Sequence, residues 1–301
     1  MTDTTPTRCG VVAVLGAPNA GKSTLVNQLV GQKVAITSAK AQTTRARMMG
    51  IALHDQTQMI LVDTPGIFAP KRRLDRAMVS AAWEGAEAAD AVLLLVDPIK
   101  QRRHELEPLV EQLANRPERK ILVLNKVDAA KKEPLLALAQ ELTAKVDFTE
   151  VFFVSALSGD GVPEMKQALA DMMPEGPWHY PEDQVSDASE RLLATEITRE
   201  QLYKQLHEEL PYDSAVRPEK YIQRKDGSVE IHQQIVVMRD NQRAIVLGKG
   251  GSRIKAIGEA ARKELSEVLG QKVHLFLHVK TDERWSEDKE MFEEMGLDWV
   301  R

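Results

Sequence analysis

Between residues 10 and 173 the chain alternates short apolar runs with longer stretches of helical spacing. The runs 11–15, 59–62, 91–96, 121–124 and 151–154 are nearly continuous in Val, Ile and Leu, as strands buried on both faces of a parallel sheet should be. A weaker alternating stretch, 47–53, suits a sheet edge. Helical spacing fills 24–30, 73–89, 104–115, 133–145 and 161–173. Strand and helix in alternation predict an α/β fold with a mostly parallel sheet and right-handed crossovers. Residues 174–181, rich in Pro and Gly, break every period and read as a linker. Beyond them the order changes: helix 186–210, strands 216–224 and 229–238 joined through Asp226-Gly227, helix 241–247, a Gly-rich turn, helix 252–269 and strand 273–280. An acidic, helix-patterned tail runs over 285–299. The pattern divides the chain into a domain at 8–176, a linker at 177–185 and an α+β domain at 186–301.

Composition narrows the class. A chain of 301 residues has room for about two domains, and a net charge of −5 excludes a uniformly basic nucleic-acid coat while leaving a local patch open. The single cysteine, Cys9, rules out an intramolecular disulfide and fits a reducing compartment. The polar segment 1–7 lacks the apolar stretch of a secretory signal, and no run reaches the ~18 apolar residues of a spanning helix. These features imply a cytoplasmic protein and leave peripheral association with the inner face of the cell membrane open.

Ligands of such a sheet sit beyond the carboxyl ends of its strands, and four of the five buried strands end in chemistry. The first runs into Gly16-Ala17-Pro18-Asn19-Ala20-Gly21-Lys22-Ser23, the G-x-x-x-x-G-K-S pattern, with Thr24 opening the helix behind it. Glycines let successive N–H groups wrap a phosphate, the helix N-terminus adds positive potential, Lys22 reaches the β- and γ-phosphates and the Ser23 hydroxyl can ligate Mg²⁺. The second ends in Asp63-Thr64-Pro65-Gly66, a carboxylate for Mg²⁺ and an N–H for the γ-phosphate. The fourth ends in Asn125-Lys126-Val127-Asp128. A carboxylate at Asp128 can accept from N1–H and the 2-amino group of guanine, which adenine lacks, so the reading is GTP and GDP rather than ATP. The fifth ends in Ser155-Ala156, where the Ala156 N–H could meet guanine O6. Between the first helix and the edge strand, Ala41-Gln42-Thr43-Thr44-Arg45 reads as a mobile switch loop with Thr44, in preference to Thr43, completing the Mg²⁺ shell. The third strand ends in Asp97-Pro98 with no role to assign. In the second half, Gly248-Lys249-Gly250-Gly251 lies between two helices, with Arg253 and Lys255 beside it. A turn framed this way can admit single-stranded nucleic-acid backbone, or simply join two helices.

In this order the motifs resemble a translation-factor-related GTPase domain, and Asn19 with Thr43-Thr44-Arg45 resembles the TrmE-Era-EngA-like branch. The second half resembles a type II KH domain. A GTPase domain followed by one KH domain, with the tail Arg284-Trp285-Ser286, resembles the Era family of bacterial ribosome-assembly GTPases over essentially the whole chain. That resemblance implies slow GTP hydrolysis, with Lys22, Asn19, Thr44 and Gly66 as the catalytic set. Ile67 stands where many signalling GTPases carry a glutamine, and a potassium ion held partly by Asn19 would supply charge instead. It also implies binding to the 3′ end of small-subunit ribosomal RNA and to the maturing small subunit, as a monomer. Two other classes compete: a GTP-gated RNA-modification factor, and a constitutive RNA-binding module, which intact Lys22, Ser23, Asp63 and Asp128 oppose.

Overall fold

A computed structural model describes residues 6–40, 42–45, 47–87, 89–100 and 103–300. Residues 1–5 of the polar N-terminal segment, Ala41 of the expected switch loop and Ala88 near the end of the second expected helix lie outside them. The chain forms two units, Met1–Ala35 with Thr44–Asp187, and Ile36–Thr43 with Ala188–Arg301.

The first unit holds β1 (Arg8–Leu15), α1 (Lys22–Val30), β2 (Met48–His54), β3 (Thr57–Asp63), α2 (Arg73–Glu87), β4 (Ala91–Val96), α3 (Arg103–Ala114), β5 (Arg119–Leu124), α4 (Lys132–Thr143), β6 (Glu150–Phe153) and α5 (Val162–Met172). Its strands order as β2-β3-β1-β4-β5-β6. Only β2 runs antiparallel to its neighbour. Four of the five unbroken apolar runs follow from layers on both faces; the fifth, expected to be buried, is the edge strand β6, where Phe153 is 37 % exposed because no strand pairs beyond it. Val12, Val14, Leu61, Leu93 and Ile121 pack against Leu25, Leu29, Met165 and Leu169 of α1 and α5. Ala13, Leu15, Val92, Leu94 and Leu122 pack against Ala82, Leu109, Leu113 and Leu135 of α2, α3 and α4. Each fully buried Leu or Val contributes about 1.5–3 kcal/mol, which holds the strand ends in fixed register.

The stretch expected as a linker belongs to the fabric of this unit. Gln58 is fully buried on β3; its Oε1 accepts from the amides of His179 (2.9 Å) and Tyr180 (3.0 Å), and its Nε2 donates to the Tyr180 carbonyl at 2.9 Å. Trp178 Nε1 donates to the Gln56 carbonyl at 3.1 Å, and the Ile51 amide to the Val185 carbonyl at 2.8 Å. Proline and glycine broke the periodicity, but a buried amide with three partners replaces it. Cys9, expected ahead of the first strand, lies within β1 and is buried.

The second unit holds α6 (Glu190–Gln205), β7 (Ser214–Gln223), β8 (Val229–Val237), α7 (Asp240–Leu247), α8 (Ser252–Val268), β9 (Val273–Thr281) and α9 (Lys289–Glu294). β7 and β8 form the expected hairpin, its turn fixed by the Asp226 carboxylate accepting from the Ser228 amide (3.0 Å) and hydroxyl (2.6 Å). β9 then adds parallel to β8 after the two helices. Leu202, Leu206, Val216, Ile235, Val246, Ile257 and Val279 form one core cluster. Helix α6 is shorter than the expected 186–210: Ser189 caps its start by accepting from the Leu192 amide, and Leu206 turns extended at its end. Ile36 of the 36–43 segment packs with Ala194, Ile197, Ile231 and Leu265. The acidic tail is not merely a solvated face, because Trp285, Met291 and Phe292 are buried.

Candidate functional site

The ends of β1, β3 and β5 bring the predicted nucleotide residues of the first unit together. Gly16–Gly21 wraps from β1 into α1, with Asn19 left-handed (φ 63°) and Gly21 at φ 102°. A Cβ at Gly21 would stand 2.3 Å from Asn125 Nδ2, so this position is closed to side chains by space as well as by φ. Lys22 is buried, its Nζ donating to the carbonyls of Gly16 (3.2 Å) and Ala17 (3.1 Å). Burial pushes its ammonium down to about 8, with the Asp63 carboxylate opposing. Thr24 follows on the first turn of α1.

The three expected metal ligands converge. Ser23 Oγ lies 2.7 Å from Asp63 Oδ2 and 2.9 Å from Thr44 Oγ1, and Thr44 Oγ1 is 3.1 Å from the same carboxylate oxygen. Two hydroxyls and a carboxylate are hard oxygen donors of the kind Mg²⁺ takes alongside phosphate oxygens. Thr43 turns elsewhere, its hydroxyl donating to the Lys40 carbonyl at 2.8 Å. Gly66 is pressed against the phosphate loop: a Cβ there would stand 2.8 Å from the Pro18 nitrogen. The neighbouring Ile67 amide donates to the Gly16 carbonyl at 3.1 Å. Thr64 is buried, and its hydroxyl donates to the Val14 carbonyl, tying β3 to β1 rather than facing a ligand.

At the end of β5, Asn125 is a staple. Its Nδ2 donates to the Ala20 carbonyl at 2.8 Å, and its Oδ1 accepts from the Ala156 amide at 2.9 Å. The Ala156 N–H expected to face guanine O6 is therefore engaged by protein, because a buried amide oxygen needs a donor. Ser155, also buried, accepts the Ser158 amide on its hydroxyl. Asp128 lies exposed in the turn Val127–Ala129, and its carboxylate takes no protein partner among the described residues. It is the carboxylate that the sequence assigned to guanine.

Asp97, which the motifs left without a role, completes the site. Lys126 Nζ donates to its Oδ2 at 2.6 Å and to the Asn19 carbonyl at 2.8 Å. Oδ1 of Asp97 accepts from the amides of Ile99 (2.9 Å) and Lys100 (3.1 Å). Burial raises its carboxyl, but the Lys126 and backbone hydrogen bonds outweigh that and hold it below the ordinary value. Asp97 thus orients Lys126, and Lys126 braces Asn19 in its left-handed conformation. A carboxylate at the end of a buried strand was the signal for it.

The second candidate site lies wholly in the second unit. Helix α7 ends at Gly248, where a Cβ would stand 2.8 Å from that of Arg253. Lys249, Gly250 and Gly251 make one 3₁₀ turn, and α8 starts at Ser252. Lys249 is exposed, Arg253 donates to the Ile245 carbonyl at 3.3 Å, and Lys255 stands 4.0 Å from Glu259. Of the three predicted cations only Lys249 has no partner among the described residues. Beside the turn, Ile245 is 46 % exposed, and Leu277 of β9 packs toward α8, 3.5 Å from where a Cβ on Gly258 would stand. The turn therefore presents an exposed lysine beside an exposed isoleucine.

Comparison with known proteins gives the same two halves. The family model described as 50S ribosome-binding GTPase matches residues 11–126, and the KH domain model matches 209–286. The chain is 84 % identical over 298 residues to GTPase Era of Erythrobacter litoralis, covering 98 % of each chain. The chain belongs to the Era family of GTPases. GTPase Era of a Bradyrhizobium species is 57 % identical over 98 % of this chain and 96 % of its own. Among solved structures, an Era complex with MgGDPNP and nucleotides 1506–1542 of 16S ribosomal RNA aligns with TM-score 0.91 at 36 % identity, over 96 % of this chain and 99 % of that one. A single-residue variant of Aquifex aeolicus Era bound to GDP·AlF₄⁻ aligns with TM-score 0.90 at 36 % identity, over the same shares of each chain.

Proposed function

We propose that this protein binds and slowly hydrolyses GTP with Mg²⁺ in its first unit, and that its second unit binds the 3′ region of small-subunit ribosomal RNA under nucleotide control during small-subunit maturation. The observation that carries the reading is full-length similarity to an Era bound to MgGDPNP and such an RNA. It is supported by oxygen donors converging at Ser23, Thr44 and Asp63 and by the exposed Lys249 in the Gly248–Gly251 turn. Lys22 steadies the phosphates, Gly66 offers its N–H to the γ-phosphate, and bound Mg²⁺ supplies charge neutralisation across the phosphates. Ile67 cannot orient water by hydrogen bonding, so hydrolysis is slow, and a potassium ion held partly by Asn19 adds charge. The protein works as a cytoplasmic monomer, and the family resemblance alone motivates peripheral contact with the membrane; cell fractionation and sedimentation check both.

Nucleotide choice is the direct test of the first unit. Asp128 should reject ATP by roughly 10⁴-fold, since adenine would leave its carboxylate facing a lone pair. Asp128→Asn should lose guanine affinity and gain xanthine, whose 2-oxygen accepts from the new amide. ATP competing with GTP at comparable concentration, measured by displacement of a fluorescent GDP, overturns the assignment.

A further inference from the structure

The sheet of the second unit has two faces with different fates. Ile231, Ile235, Val237 and Val279 point into the cores under α6 and α8. Residues alternating with them point the other way, and the register sets Lys220 of β7, His232 of β8 and Phe276 of β9 in one row across that outer face. The His232 and Phe276 rings stack, with centroids 4.7 Å apart and planes at 20°. Phe276 is 48 % exposed at the middle of a regular nine-residue strand, and Ile222, next along β7 on the same face, is 44 % exposed.

Charge on this face is sorted. Glu230 is taken by His232 (2.6 Å) and by Arg224, and Glu219 lies 3.3 Å from His278. Lys220 and Lys280 have no acidic partner among the described residues. The far end of the same face is protein-covered: Arg217, opposite Gln234, binds Glu294 at 3.1 Å and Glu290 of α9, and Val236 is only 3 % exposed. The acidic tail covers the row beyond Gln234, leaving the stacked rings open.

Resting on the RNA reading above, we propose that the Lys220–His232–Phe276 row is a second RNA contact, a platform on which a base of single-stranded RNA stacks. A flat π-face in water suits a nucleobase, and unpaired lysines on the same face suit its phosphates. Leu277, adjacent in sequence to Phe276, points to the opposite face, where a Cβ on Gly258 of α8 would stand 3.5 Å from it, so only the thickness of the edge strand β9 lies between the platform and the helix that follows the G-x-x-G turn. A G-x-x-G turn holds only about four nucleotides, and a longer strand leaving it over β9 meets Phe276.

The test compares two oligonucleotides from the 3′ end of small-subunit RNA by fluorescence anisotropy on the full-length protein: one of about four nucleotides, enough for the G-x-x-G turn alone, and one of about sixteen. Phe276→Ala should weaken the longer RNA about tenfold, the loss expected for one stacked base, and leave the shorter unchanged. Phe276→Trp should keep the longer RNA bound. Lys220→Ala, on the exposed surface, should weaken the longer RNA and flatten its salt dependence, and it serves if Phe276→Ala does not fold. Equal affinity of the folded variants for the longer RNA overturns the proposal. So does an equal loss on both oligonucleotides, or weakened binding to small ribosomal subunits with naked RNA unaffected, which would mark a protein-facing surface. A wild-type protein that binds neither RNA removes the RNA reading and this one with it; loss confined to the platform leaves that reading standing.

Discussion

Lys22 carries the clearest single-residue consequence. Its ammonium is buried against carbonyl oxygens and titrates near 8, far below an exposed lysine. Phosphate charge beside it favours the protonated form, so nucleotide binding should take up a proton at alkaline pH. Affinity for GTP is therefore expected to be full below pH 8 and to fall as pH rises from about 8 toward 10, up to about tenfold per pH unit. Titration calorimetry in buffers of different ionisation enthalpy measures that proton. A flat affinity across this window would show that Lys22 does not contact phosphate. For folding alone the sign is opposite: the unfolded chain binds more protons between about 8 and 10.5, so this lysine favours the fold as pH rises there. The motif identified Lys22, but its depressed titration comes from burial in the folded unit, which no spacing encodes. Asp97 was similarly opaque, because its partner Lys126 lies 29 residues on and meets it only through adjacent parallel strands.

At the scale of elements, strands were the legible part. Each apolar run stands as a strand where it lies, but only four are buried on both faces; 151–154 falls in the edge strand β6, which sequence alone did not separate from the rest. Ends and connections were less legible because side chains far along the chain decide them. Gln58 is one such case. It reads as an ordinary polar position, yet it holds residues 179–180 against β3. Gln58→Ala should cost about 1–2 kcal/mol, since it removes a fully buried side chain together with three hydrogen bonds that fasten residues 179–180 to β3. Urea unfolding checks this, and a loss below ~0.5 kcal/mol would mean that water satisfies the 179–180 backbone equally well. The stretch leading into the expected switch loop 41–45 is a second case. The Glu200 carboxylate accepts from the Thr37 amide at 3.1 Å and hydroxyl at 3.3 Å, Lys40 donates to the Tyr203 carbonyl, and within the loop Tyr203 donates to the Gln42 carbonyl at 3.3 Å. Those partners lie far along the chain, where no local pattern points to them.

Over the whole molecule, a chain with net charge −5 puts two kinds of phosphate recognition on separate units: a loop-and-lysine cradle at the end of a parallel sheet, and a glycine turn with one uncommitted lysine. No helix among the described residues is long and apolar enough to cross a membrane. Both sites were legible as motifs, because glycine spacing and a following helix determine the backbone path that binds phosphate. The outer face of the second sheet was not, since register between three strands is needed to put Lys220, His232 and Phe276 side by side. GTP binds in the first unit, and the RNA site proposed for the second is the Gly248–Gly251 turn with Lys249. The most direct test is to measure, on the same preparations, the affinities for GTP and for an oligonucleotide of the small-subunit RNA 3′ end, in wild type and in Lys249→Asp with Gly250→Asp. The account predicts that RNA binding falls at least about a hundredfold, by placing carboxylates against phosphates, while GTP affinity is unchanged and wild-type RNA affinity drops with salt. A folded double variant that binds the RNA as tightly as wild type would contradict it.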